Sequence, residues 1–234
     1  MGFKKYLIGN WKSNKTEKEV IDFFEKFSKL QVSRHPSGGL RDSRRVEEFE
    51  AVICPSFVHL EVASKLIKEL NLPLKLGAQD ISPYGEGAYT GEVNGRQLKE
   101  YISYCIIGHS ERRSHFQETD SLLKLKAEKA KELGIKTIFC VPDDQTSVSE
   151  GVSLIAYEPV FAIGTGKSDT PENAARVIKM IKEKTGEIPV IYGGSVTADN
   201  INHFLKMPGI SGVLPGKASL DPDHFFRMLI NAAI

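Results

Sequence analysis

Glu158 closes the apolar run SLIAYE and is followed at once by Pro159 and by small, flexible residues in AIGTGK. A carboxylate at the edge of an apolar run is costly unless paired, so two readings stand. One is an ion pair with a lysine or arginine; the other is a general base that becomes partly desolvated when a neighbouring segment covers it. His109, in IIGHSERR, sits where an apolar run gives way to a helical start, with Ser110 and Glu111 placed to cap the new turn. Such a histidine is either structural or, beside the positive end of a helix dipole, a neutral donor able to polarise a carbonyl. Lys12 follows the apolar run KYLIGN and its Asn10. It is either a solvated lysine or an ammonium that stabilises a phosphate dianion and a developing enolate oxygen. Two loops of small residues, YGGSV at 192–196 and LPGKAS at 214–219, are either ordinary turns or cradles whose backbone N–H groups approach an anion closely. Together these positions supply a base, a polariser, a fixed positive charge and a phosphate-sized cradle, and they include neither a metal-ligand cluster nor a nucleotide fingerprint.

The elements that must position them recur along the whole chain. Eight β-rich runs are centred near residues 5, 50, 74, 104, 136, 153, 188 and 210. They are near-continuously apolar, as parallel strands covered on both faces should be. Charged amphipathic segments such as TEKEVIDFFEKFSKL, LEVASKLIKEL, TDSLLKLKAEKAKELG and TPENAARVIKMIKEK lie between most of them. Alternation of this kind predicts an α/β protein, a closed (β/α)8 barrel forming one domain over 1–234. In such barrels the polar residues just after the strands converge on one face, and the residues named above, with Gln79, all occupy such places. Thr170 before Pro171 reads as a helix cap, and Gly134 as a helix end. Two departures from an even barrel are expected. Residues 31–46, QVSRHPSGGLRDSRRV, read as a long loop between the first helix and the second strand. That loop is either a solvated insertion or, through its four arginines, a contact for a partner or polyphosphate. The segment 142–152 is too short for a full crossover helix, so the helix after strand 5 is reduced to a turn.

Bulk properties narrow the partner. The chain has 234 residues, 31 basic and 30 acidic side chains and a formal net charge of +1. Nothing in that balance calls for nucleic acid or an anionic membrane, and a small molecule is expected instead. The three cysteines, Cys54, Cys105 and Cys140, lie inside apolar runs without metal or dithiol spacing and read as buried reduced thiols. No apolar stretch is long enough to span a membrane, and the start MGFKKYLIGNWK has too short an apolar core for a signal peptide, so a cytoplasmic protein is expected.

The stretches GNWKSN (9–14), AQD with AYTGEV (78–80, 88–93), IIGHSERR (106–113), AYEPVFAIGTGK (156–167), IYGGSV (191–196) and GKASL (216–220) occur in the order in which the triosephosphate isomerase family carries them. The chain closely resembles that family over nearly its whole length. The resemblance implies interconversion of dihydroxyacetone phosphate and D-glyceraldehyde 3-phosphate through an enediolate, in glycolysis and gluconeogenesis, without cofactor or metal. Glu158 would move the carbon-bound proton, His109 would polarise the carbonyl, and Lys12 with Asn10 would complete the oxygen-binding side. Glu111 would orient Lys12, and Ser110 would hold Glu158 in an open state. Backbone N–H groups of Gly164, Ser195, Gly216 and Lys217 would grip the phosphate, Gly164 from the tip of a lid. A homodimer is implied, with a tetramer as the alternative, in which the loop GAQDISPYGEGAYTGEV enters the neighbour with Thr90 at its tip. The chain departs from the family pattern in three places. Lys217 stands where a second glycine is usual and is expected to strain the backbone if the position needs positive φ. Phe161 replaces the lid's tryptophan, and the glutamate after strand 5 is replaced within CVPDD. The competing reading is a non-catalytic sugar-phosphate binding barrel.

Overall fold

The computed structural model describes residues 5–33, 49–159 and 169–232. Eight strands, β1 (Lys5–Asn10), β2 (Phe49–Cys54), β3 (Lys75–Ala78), β4 (Tyr104–Ile107), β5 (Lys136–Val141), β6 (Leu154–Tyr157), β7 (Val190–Tyr192) and β8 (Ile210–Val213), form a closed parallel barrel in chain order. Around and between them run α1 (Glu17–Ser33), α2 (Leu60–Glu69), α3 (Gly95–Leu98), α4 (Ser110–His115), α5 (Asp120–Glu132), α6 (Pro171–Thr185), α7 (Ile201–Leu205) and α8 (Pro222–Ala232). No helix lies between β5 and β6, as the short crossover predicted. α1 runs on to Ser33 and takes in the first residues of the segment read as a loop, because that segment carries no helix breaker before Pro36; the rest of it lies outside the described residues. Thr170 caps α6 through a bond from the Asn173 N–H, with Pro171 at its first position.

The apolar runs are explained by two cores. Ile8, Val52, Ile106, Ile138, Ala156, Ile191 and Leu214 point into the barrel, while Leu7, Ile53, Cys105, Phe139, Ile155 and Val213 point out against the helices. Because both faces of each strand are buried, a period of two has nothing polar to alternate with. The outer layer is fixed on the β1 side by α1 and α8, whose Phe23, Phe27 and Phe225 stack against one another and, through Phe23, against Trp11. Closure of β8 on β1 depends on Gly212. A Cβ there would lie 2.3 Å from the Tyr6 carbonyl oxygen, so a larger residue would force the seam apart.

Buried charge sets the positions of α4 and α5. The Lys126 ammonium of α5 donates to both carboxylate oxygens of Asp80 at 2.7 Å and to Glu118. Arg112 of α4 bonds the same two acids, at 2.9 Å to Asp80 and 2.7 Å to Glu118. Two cations and two carboxylates thereby tie the end of β3 to the helices that follow β4. Burial pushes the Asp80 carboxyl above its ordinary value, and Lys126 opposes that rise without cancelling it. At the opposite end of the barrel, the buried Glu50 carboxylate accepts from the Tyr104 hydroxyl and from the Lys75 ammonium at 2.6 Å. Burial, then Glu50, drives the Tyr104 hydroxyl far above the usual phenol range, which keeps it a donor.

Lys126→Met should leave the buried Asp80 and Glu118 carboxylates to share the Arg112 guanidinium alone and cost about 3 kcal/mol in urea unfolding at pH 7. Without Lys126 the folded state holds the carboxyl protons to higher pH than the unfolded chain does. Its stability is therefore favoured below the ordinary carboxylate value and lost as pH rises through the raised one. The gap from wild type should accordingly narrow on acidification towards that range, and a gap that widens would contradict the assignment.

Candidate active site

The carboxyl ends of the strands surround a cavity of about 750 Å³. Parallel strands all deliver their following residues to one end, so Asn10, Lys12, His109, Glu158, Ser195, Gly216 and Lys217, far apart in the chain, line this one space. Gly164 and Phe161 lie outside the described residues. Thr90 is exposed on the loop between β3 and α3, away from the cavity wall.

Lys12 has φ 52°, a left-handed conformation that costs about 1–2 kcal/mol for a residue with a side chain. Three groups hold it there. Asn10 Oδ1 accepts from the Lys12 N–H at 3.0 Å, and the Lys12 carbonyl accepts from Ser56 Oγ at 3.1 Å and Gln79 Nε2 at 2.8 Å. Gln79 also bonds the Cys54 carbonyl at 2.9 Å, so the ends of β2 and β3 jointly brace the residue after β1. The ammonium is ion-paired with Glu111, and its stem crosses Gly216, where a Cβ would lie 3.5 Å from Lys12 Cε. This is a braced, partly covered lysine rather than a solvated one.

His109 is itself the N-cap of α4. Its Nδ1 accepts from the Glu111 N–H at 3.2 Å, whereas Ser110 and Glu111 had been expected to cap the turn with their own side chains. The ring replaces them because it leaves β4 already pointing back over the first turn. An Nδ1 that accepts cannot also carry a proton, so the neutral ring presents an Nε2–H donor. Nε2 lies 3.4 Å from Glu158 Oε1.

Glu158 is 1% exposed, and no lysine or arginine among the described residues pairs with it, which removes the ion-pair reading. Its Oε2 accepts from the Ser110 backbone N–H at 3.2 Å, while the Ser110 hydroxyl has no partner among the described residues. The contact expected from the resemblance is thus made by main chain. Glu158 Oε1 is buried without a hydrogen-bond partner among the described residues. Gly193 allows the side chain to lie flat, since a Cβ at 193 would come within 2.7 Å of Glu158 Cγ. Cys140 borders it; burial first, and the adjacent Glu158 carboxylate second, raise that thiol well above its usual value.

Lys217 opens a 3-10 turn, Lys217–Ser219, and is not among the non-glycine residues with positive φ. The expected strain is absent, because the Ser219 N–H and hydroxyl both bond the Gly216 carbonyl, at 2.9 and 2.7 Å, and wind the chain in the helical sense. Two bracing residues could not be assigned from sequence. Ser56 follows a proline in an unremarkable turn, and Tyr192, whose hydroxyl accepts from the Asp169 N–H at 2.9 Å, reads as core. Gln79 stood in a post-strand position but carried no indication of its target.

Comparison with known proteins bears on the whole chain. The family model described as triosephosphate isomerase matches residues 5–154 and 146–233. The chain belongs to the triosephosphate isomerase family. It is 39% identical to the triosephosphate isomerase of Mesomycoplasma hyopneumoniae strain 7448, covering 98% of this chain and all of that protein. Identity to the protein of the same name from Dictyoglomus turgidum is 38%, over 97% and 98% of the two chains, and to that from Solibacter usitatus 39%, over 95% and 97%. This is a family of isomerases, and membership agrees with the closed eight-stranded barrel. No helix among the described residues is long and apolar enough to cross a membrane.

All three thiols are fully buried and raised above their ordinary value by that burial, so little reactive thiolate forms at pH 8. A chromogenic disulfide reagent should label none of them in the native protein and all three once it is denatured; rapid labelling of the folded chain would contradict the placement of Cys54, Cys105 and Cys140.

Proposed function

We propose that this family member interconverts dihydroxyacetone phosphate and D-glyceraldehyde 3-phosphate in glycolysis and gluconeogenesis, acting in the cytoplasm as a single barrel domain. The observation that carries the reading is the buried, unpartnered Glu158 Oε1 facing the His109 Nε2 at 3.4 Å inside a cavity that also holds Lys12. A binding protein has no need of a buried base. Glu158 removes the proton from the carbon next to the carbonyl and returns it to the former carbonyl carbon. His109 donates its Nε2–H to the carbonyl oxygen and moves protons between the two oxygens of the enediolate. Lys12, with Asn10 beside it, opposes the negative charge that develops on those oxygens. Backbone N–H groups at Ser195, Gly216 and Lys217, with Gly164 from the covering segment, receive the phosphate. Glu111 sets the direction of the Lys12 ammonium, and Ser110 holds Glu158 through its N–H.

In a coupled assay, Glu158→Gln should lower kcat about 10²–10⁴-fold, the usual contribution of a positioned base, with little loss of substrate affinity. Turnover left intact by that change would remove the mechanism; wild-type protein that binds triose phosphate without turning it over would favour a binding barrel.

We further infer a homodimer, with a tetramer as the larger alternative, built on the loop 77–93 with Thr90 at its tip. Support comes from Tyr84 and Tyr89, which stack at 4.2 Å on this loop although both are exposed. Large apolar groups gathered on one projecting loop fit a protein interface. Sedimentation velocity at micromolar concentration should report at least two copies, and a fully active monomer would refute the assignment.

A further inference from the structure

Lys217 is the one lysine among the described residues lining the cavity that has no carboxylate partner among the described residues. Among the described residues lining it, the cations are Lys12 and Lys217 and the carboxylates are Glu158 and Asp221. Lys12 is already ion-paired with Glu111, a third carboxylate. Two ammonium groups thus stand against three carboxylates, and of the two only the Lys217 ammonium is left uncommitted among the described residues, the charge an anionic ligand can use. The Lys217 side chain is exposed, and among the described residues no hydrogen bond or ion pair engages its ammonium. Its backbone is relaxed at the start of the 3-10 turn, and it follows directly on Gly216, whose main chain lies against the Lys12 stem. Nothing in the packing requires a long cation here.

We infer that the Lys217 side chain is a second anion-binding charge at the phosphate end of the cavity, where a glycine would offer only its N–H. This rests on the phosphate-site reading above and deepens it. The N–H groups of the loop fix where the phosphate sits, while Lys217 supplies an uncommitted positive charge that Lys12, paired with Glu111, does not. Its reach is electrostatic and adjustable, because a lysine is a point charge on a flexible stem.

Titration calorimetry with inorganic phosphate on the full chain separates the possibilities. Lys217→Met should weaken phosphate binding about tenfold at low salt, and the difference should shrink as salt rises and screens the charge. Lys217→Arg should stay within about threefold of wild type, since the charge is kept. Equal affinity in wild type and Lys217→Met overturns the inference, as does an equal loss in the arginine variant, which would mean that shape and not charge decides. Wild-type turnover of triose phosphate is scored separately. Phosphate binding that depends on Lys217 in a protein without isomerase activity would sink the proposed function and leave this inference standing.

Discussion

A carboxyl group buried with one oxygen unpartnered among the described residues is the constraint around which this molecule is arranged. Leaving a buried polar atom unsatisfied costs about 1–3 kcal/mol, and the cost persists only where the surroundings cannot relax to remove it. Around Glu158 they cannot. Its N–H is bonded to the Val141 carbonyl at 2.8 Å, Gly193 is packed against its stem, and the Ser110 N–H holds its other oxygen. The two-layered apolar core of the barrel supplies the stability that offsets the expense.

The same pattern of local cost held by distant support recurs at Lys12. Its left-handed backbone is tolerated because side chains from β1, the turn after β2 and the end of β3 bond to its main chain. His109 is placed in turn by α4, which the Arg112, Asp80, Lys126 and Glu118 cluster clamps to α5 and the end of β3. Each group facing the cavity is thus set by residues from one to three strands away. A closed parallel barrel makes this possible, because every strand end is within reach of the next.

Electrostatics and covalent inertness are settled by the same burial. The barrel interior that hides Cys140 beside Glu158 suppresses its thiolate, so a soft nucleophile can stand next to the candidate base without competing with it. At the cavity's other end the side chains are exposed and the charges adjustable, which is where Lys217 differs from the family pattern. Chemistry placed in the dry part and charge tuning in the wet part is a division that follows from depth alone.

The repeat of apolar runs and amphipathic segments by itself determined the eight strands, the parallel barrel and the missing helix after β5, since these depend on local periodicity and on crossover length. The residues at strand ends determined the candidate site, because a post-strand position in such a barrel has only one face to occupy. What only the tertiary structure decided are pairings between residues distant in the chain: Gln79 and Ser56 on the Lys12 carbonyl, Arg112 and Lys126 on shared acids, and Glu158 with no lysine or arginine partner among the described residues. The cap of α4 likewise passed to the His109 ring, and Lys217 proved unstrained, because both outcomes turn on backbone direction at a strand's end. Periodicity records which face a residue occupies, but not the dihedral angle at which the chain leaves that face or the atom it then meets.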